Sequence, residues 1–106
     1  MNLNPFEILK NAGKIQEQMG LFQEKLGNLR AVGSSGGGMV QIEMNGRMEI
    51  QSVLISEEAM AEGDRFMLAD LVTAAFNNAM EKIKETINAE MGAMTGMPGF
   101  PAGYSG

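Results

Sequence analysis

Residues 36–56 carry a strand pattern and separate two long segments that are patterned as helix. Val40, Ile42 and Met44 alternate with polar residues, which is the period of two expected of a half-buried strand. The dipeptide Asn45-Gly46 follows and predicts a hairpin, because both residues tolerate positive φ. A small sheet of this kind has one apolar face, so a helix or a partner must cover it.

The second arm of the hairpin is predicted to bend. Met48 and Ile50 alternate with charged and polar neighbours, but Ser52 is polar where the alternation requires an apolar residue. Such a slip of phase indicates one extra residue, which is a bulge or a break in the strand. We therefore expect the second arm to lead into a third short strand.

Two registers of the hairpin are possible. A two-residue loop pairs Met44 with Arg47, which places an apolar residue opposite a charged one. A three-residue loop pairs Met44 with Met48 and Ile42 with Ile50, which keeps one face apolar. We prefer the three-residue loop, because burial of one face specifies the register of a strand pair.

A long helix is predicted before the sheet, over residues 4–31. Asn4 has a capping side chain, and Pro5 suits the first helical position. Apolar residues then recur at spacings of four and three: Ile8, Ala12, Ile15, Met19, Phe22, Leu26 and Leu29. This heptad seam is typical of a helix that packs against a partner, and the helix would be about 42 Å long. The residues that follow, 32–38, are rich in Gly and Ser and are interpreted as a flexible linker.

A second long helix is predicted over residues 65–91, with Asp64 as its N-cap and Gly92 as its end. Its apolar positions include Leu68, Val72, Ala75, Phe76, Ala79, Met80, Ile83 and Ile87. The acidic residues 56–63 before it are expected to form one turn of helix. Residues 93–106 are rich in Gly and Pro and lack periodicity, so we expect a folded domain over residues 1–92 and a disordered tail over residues 93–106.

These elements predict an α+β fold with the order α-β-β-β-α, in which two long helices flank a small antiparallel sheet. Two helices of about 40 Å would leave much of their apolar seams in water at this chain length. The simplest remedy is a symmetric homodimer. The residues expected at its interface are Ile15, Met19, Phe22, Leu26, Val40, Ile42, Met44 and Phe76.

Composition excludes several chemistries. The 106 residues contain no cysteine and no histidine, which removes disulfides, thiolate chemistry and the commonest metal ligand. The acidic residues between positions 57 and 64 lack the spacing of a calcium loop and are interpreted as a solvated loop. We recognise no nucleophile–base pair, so we expect no enzyme, no cofactor and no metal. The start of the chain has no signal-peptide pattern and no apolar run is long enough for a membrane span, which favours a cytoplasmic protein.

Several short motifs follow one another along nearly the whole chain. They are Asn4-Pro5-Phe6, Leu9-Lys10, Gln16-Glu17-Gln18-Met19, Gly36-Gly37-Gly38-Met39-Val40, Met44-Asn45-Gly46, Ser52-Val53-Leu54-Ile55, Leu71-Val72-Thr73-Ala74-Ala75-Phe76-Asn77-Asn78-Ala79, Lys82 and Met91-Gly92-Ala93-Met94-Thr95-Gly96. In this order and spacing they resemble the YbaB/EbfC family of bacterial nucleoid-associated proteins. The resemblance implies a tweezer-shaped homodimer with long helices that project from a central sheet. It also implies binding of double-stranded DNA with little sequence preference, and a place in the nucleoid.

The resemblance makes the polar and basic helix residues candidates for DNA contacts. The candidates are Lys10, Lys14, Lys25, Arg30, Asn78, Lys82 and Lys84. Contacts to phosphate need only cations and donors within reach. Arg47 at the predicted hairpin tip is a further candidate.

A plainer interpretation of the same residues is a set of solvated helix faces. Neighbouring glutamates can form ion pairs with them, as Glu7 can with Lys10 and Glu85 with Lys82. The net charge of −5 also opposes the approach of a polyanion. A competing hypothesis is therefore a dimeric adaptor that binds a replication or recombination protein and has little DNA affinity of its own.

Overall fold

The computed structural model describes residues 4–95. In this range the elements are α1 (Pro5–Asn28), β1 (Arg30–Ser35), β2 (Val40–Asn45), β3 (Ile50–Ile55), α2 (Glu57–Ala61) and α3 (Arg65–Thr95). The strands form one antiparallel sheet in the order β1-β2-β3. The predicted α+β fold, with a long helix on each side of three strands, is confirmed, and the expected helical turn before the last helix is α2.

Helix α1 begins where the sequence predicts and ends earlier. Asn4 Oδ1 accepts a hydrogen bond from Phe6 N at 3.1 Å, and Pro5 lies in the first turn. The predicted end at residue 31 is wrong, because the helix stops at Asn28 and Leu29 has an extended backbone.

The segment predicted to be a flexible linker contributes a strand. Residues 30–35 form β1, which pairs with β2 from Arg30 opposite Asn45 to Ser35 opposite Val40. Only the glycines at positions 36–38, which all have positive φ, form the tight turn into β2. The linker interpretation is therefore wrong for residues 32–35.

Glycine at position 33 is required by the close approach of β1 to α3. A Cβ atom there would collide with the backbone of Ala75 and Ala79. One residue further on, Ser34 N donates to Asn78 Oδ1 at 3.0 Å. The strand is thus fixed to the helix by a small-residue contact and a side-chain hydrogen bond. The sequence pattern of β1 predicts neither of them.

The hairpin turns at Asn45-Gly46 as predicted, but its predicted register is wrong. Met44 lies opposite Ile50 rather than Met48, so Ile42 does not pair with Ile50, and the two-residue alternative is wrong as well. Asn45 N donates to the carbonyl of Glu49 at 3.0 Å and closes the loop.

Asn45 shapes this turn through hydrogen bonds. Its buried side chain accepts from the N–H groups of Arg47 at 2.9 Å and Glu49 at 3.0 Å, and it donates to Glu49 Oε1 at 2.8 Å. The positive φ of the turn falls on Met48, at 63°. The amide of Asn45 thus replaces backbone partners that the turn itself lacks.

The expected bulge lies at Gln51. Glu43 pairs with Ser52 whereas Met44 pairs with Ile50, which leaves Gln51 as the extra residue. Beyond it β3 continues without a break to residue 55. The prediction of a separate strand after the bend is therefore wrong, and the third strand of the sheet is β1.

The core lies between α3 and the facing side of β1 and β2. The largest fully buried side chains are those of Val40, Ile42, Met44 and Ile83. Every apolar position predicted for the second long helix packs in this core or against it, as expected. The period of 3.6 residues in α3 therefore identified its buried face correctly.

The bounds of α3 agree with the sequence at one end only. Asp64 Oδ1 accepts from Phe66 N at 3.0 Å and Met67 N at 3.1 Å, so the predicted N-cap is confirmed. The helix passes through Gly92 and reaches Thr95, the last described residue, so the predicted end at Gly92 is wrong. Residues 93–95, predicted to begin the disordered tail, belong to this helix. Residues 96–106 lie outside the described part, and for them the disordered tail stays a prediction.

Candidate nucleic-acid interface

Two of the candidate cations are engaged within the chain. Lys25 Nζ forms an ion pair with Glu90 Oε1 at 2.6 Å, which links the end of α1 to α3. Arg30 Nε lies 3.6 Å from Glu43 Oε1, and its Nη1 donates to the carbonyls of Gly27 at 2.6 Å and Leu29 at 3.0 Å. These contacts give both side chains a structural role at the C-terminal end of α1, Lys25 towards α3 and Arg30 towards the sheet.

Two lysines on α1, unlike Lys25, form no ion pair among the described residues. Lys10 and Lys14 are exposed and stand one turn apart, so they share a side of the helix. Among residues 4–95, no carboxylate lies within 4.0 Å of either ammonium group. The predicted ion pair between Lys10 and Glu7 does not form. These two cations are available to a ligand.

The candidates on α3 do not form one cluster. Lys82 and Lys84 are exposed and have no ion pair within the described residues. They point in directions about 200° apart around the helix axis. Asn78 lies one turn before Lys82, but its Oδ1 is already used by Ser34 N. Asn78 therefore holds β1 in place, and Lys82 is the cation nearest to it on this side of α3.

The two remaining arginines are also held by neighbouring groups. Arg47 lies at the hairpin tip with its guanidinium against Gly27 of α1. Arg65 at the start of α3 places its guanidinium carbon 5.0 Å from the ring centre of Phe66, a cation–π contact. The exposed lysines of α1 and α3 are thus the cations with the fewest contacts in the described part of the chain.

The predicted interface residues separate into three groups. The side chains of Val40, Ile42 and Met44 are fully buried against α3 of the same chain, so their assignment to a dimer interface is wrong. Ile15 and Met19 on α1 are exposed by 57% and 60%. The other three, Phe22, Leu26 and Phe76, are half-buried.

Sequence reasoning missed the open side of the sheet, by which we mean the core-facing side of β3. Helix α3 packs on β1 and β2 and leaves β3 beyond its edge. Ile50, Val53 and Ile55 lie opposite the buried Met44, Ile42 and Val40, so they face the core side of the sheet. They are nevertheless exposed by 47%, 45% and 39%. Their apolar character was visible in the sequence, but not that no helix among residues 4–95 covers them.

Further site classes are not found among residues 4–95. No three acidic side chains lie close enough together to hold a metal ion. No helix in this part of the chain is both long and apolar enough to cross a membrane.

Comparison with known proteins gives three findings. The model of the YbaB/EbfC DNA-binding family matches residues 1–98. A nucleoid-associated protein of Pelotomaculum thermopropionicum is 41% identical over 96 residues, which cover 91% of this chain and 91% of that protein. The crystal structure of an uncharacterized protein of Helicobacter pylori has a TM-score of 0.70 at 18% identity, with 89% of this chain and 99% of that chain covered. This last likeness concerns the fold alone.

Proposed function

The chain belongs to the YbaB/EbfC DNA-binding family, and we propose that it is a homodimeric, nucleoid-associated protein that binds double-stranded DNA with little dependence on sequence. The name of the Pelotomaculum relative supports the association with the nucleoid, and hence a cytoplasmic location. Members of such a DNA-binding family are not enzymes, and the protein acts by occupancy of DNA rather than by chemistry.

The observation that carries the proposal is the set of exposed lysines that have no carboxylate within 4.0 Å among the described residues. Lys10 and Lys14 project from α1, and Lys82 and Lys84 project from α3. Contacts from such side chains to phosphate position a protein on the duplex without reading its bases. The net charge of −5 weakens attraction at long range, so we expect modest affinity that depends strongly on salt.

A second copy of the chain is proposed to cover the open side of the sheet. The molecule measures 69 × 26 × 18 Å, and the side chains of residues 5–21 on α1 are all exposed. The core-facing residues of β3 and the α1 seam residues Ile15 and Met19 are apolar surface that a two-fold partner would bury. Phe22, Leu26 and Phe76 are half-buried and would complete the interface from the rims of these surfaces.

The test is a titration of a labelled random duplex by fluorescence anisotropy over a salt series. Lys10→Gln with Lys14→Gln removes four ammonium groups from a dimer. Each phosphate contact contributes a slope of about 0.9 in log affinity against log salt, so the slope should fall by up to about 3.6. A mixture of duplex sequences should bind with similar affinity.

The control is Lys25→Gln, which makes the same substitution at a lysine that is paired with Glu90 and removes two ammonium groups from a dimer. Its salt slope should stay close to that of the unmodified protein. An equal fall of the slope per removed charge in the control and in the double variant would remove Lys10 and Lys14 from the contact set.

The alternative is a dimeric adaptor for a replication or recombination protein. Phe6 and Leu9 near the start of α1 favour it, because they are exposed by 74% and 72% and lie away from the seam that begins at Ile8. Absence of DNA binding at low salt, from a folded dimer, would select this alternative.

A further inference from the structure

The contacts of α1 with the rest of the chain are concentrated in its last two turns. The side chains of its first four turns, residues 5–20, are exposed along their whole length. Phe22 and Leu26 are half-buried, and Gly27 is buried. Within one chain, the direction of this helix therefore depends on what holds its C-terminal end.

The hairpin tip holds that end through two glycines. Gly46 N donates to the carbonyl of Leu26 at 2.9 Å, and a Cβ atom on Gly46 would stand only 2.5 Å from this oxygen. On the helix side, a Cβ atom on Gly27 would collide with the guanidinium of Arg47. Gly46 lets the hairpin approach the backbone of Leu26 directly, and Gly27 leaves room for the guanidinium of Arg47 against the helix.

Other groups approach the same turn from different directions. Arg30 Nη1 donates to the carbonyl of Gly27 at 2.6 Å, and Lys25 is paired with Glu90 on α3. With Arg47, three cations surround the C-terminal end of α1, where the helix dipole places partial negative charge. The tip that carries Arg47 is itself held, because Arg47 N donates to Asn45 Oδ1 at 2.9 Å.

We propose that Arg47 is a positioning residue that fixes the direction of α1, so that α1 acts as a rigid arm which presents Lys10 and Lys14 to DNA. This inference rests on the proposed function. Lys10 stands about 26 Å along the helix from Gly27. A tilt of about 20° at the joint would displace it by roughly 9 Å, more than twice the 3.4 Å axial spacing of phosphates along one strand. A fixed joint removes most of the cost of ordering the arm on binding.

The joint can be tested directly by a distance measurement, because the chain contains no cysteine. Spin labels at Asn11→Cys on α1 and Asn77→Cys on α3 report the direction of the arm by pulsed electron paramagnetic resonance. Both sites are exposed. Dilution of the labelled chain with excess unlabelled chain makes the distance intrachain whatever the oligomeric state. The unmodified joint should give one narrow distance distribution.

Arg47→Ala should broaden that distribution and weaken DNA binding by about tenfold. The salt slope should stay unchanged, because the same lysines reach phosphates in the bound complex. Arg47→Met is the second variant, since it keeps an unbranched side chain and loses the guanidinium that lies against Gly27. The matched control is Arg65→Ala, which removes an arginine that contacts Phe66 and not the joint.

A broad distribution in the unmodified protein, or an unchanged one in both Arg47 variants, would overturn the proposal. A change of equal size in Arg65→Ala would also overturn it. If the unmodified protein does not bind DNA at low salt, the proposed function fails while the distance measurement still decides whether the arm is fixed.

Discussion

Val53 provides the sharpest test of how two copies assemble. Its side chain lies on the core side of the sheet, opposite Ile42, yet it is exposed by 45%. The next residue, Leu54, lies opposite the exposed Gln41 and points to the other face. Val53→Asp and Leu54→Asp therefore introduce the same charge at adjacent positions on opposite faces of one edge strand.

The expected size of the effect follows from burial. Full burial of a valine side chain stabilises by about 1.5–3 kcal/mol, so burial of the exposed part of Val53 contributes about 1 kcal/mol per chain. Two chains lose about 2 kcal/mol, and two unpaired carboxylates in the interface cost several kcal/mol more. A total above about 5 kcal/mol would weaken the dimer more than a thousandfold.

Analytical ultracentrifugation over a concentration series measures this change. Val53→Asp should sediment as a monomer at concentrations where Leu54→Asp and the unmodified protein are dimers. Circular dichroism checks that the fold survives, which we expect because the core of β1, β2 and α3 does not include Val53. A dimer that is lost in Leu54→Asp but retained in Val53→Asp would refute the reasoning, since the second copy would then cover the outer face.

Three further predictions concern stability and are measured by urea denaturation. Gly33→Ala should destabilise the protein by more than about 3 kcal/mol, because the added Cβ would collide with the backbone of Ala79. The control Gly13→Ala, in open space on α1, should stabilise the protein by up to about 1 kcal/mol. Equal effects of the two substitutions would contradict the close packing of β1 on α3. Asn45→Ala should cost about 2 kcal/mol through three lost hydrogen bonds, and a neutral outcome would mean that water replaces the amide. Met48→Gly should stabilise by roughly 1 kcal/mol, because Met48 has a φ of 63°; a loss of stability would contradict the prediction and show that the added freedom of the unfolded chain outweighs the relieved strain.

The proposed site was only partly visible in the sequence. The lysines of α1 and α3 could be named as candidates from their residue type and the family resemblance. The sequence could not show that Lys25 is paired with Glu90, or that Arg30 binds carbonyls at the end of α1. Those partners are distant along the chain or depend on where α1 ends, so no local pattern encodes them.

Local signals determined the parts of the fold that short segments can specify. Asn4 and Asp64 marked both long helices because a capping side chain bonds backbone N–H groups two or three residues away. The buried face of α3 followed from its own periodicity, and the hairpin followed from Asn45-Gly46. These interactions lie within a few residues, so the sequence by itself contains them.

Only the tertiary structure decided that residues 30–35 form a strand. In the sequence alone, Gly33 is typical of a linker. In the structure, the absence of a Cβ atom at Gly33 is what allows β1 to pack closely against α3. The open side of β3 was decided in the same way, because Ile50, Val53 and Ile55 have an apolar pattern and only the position of α3 leaves them uncovered. Contacts between residues far apart in the chain depend on the packing of whole elements, and no single segment carries that information.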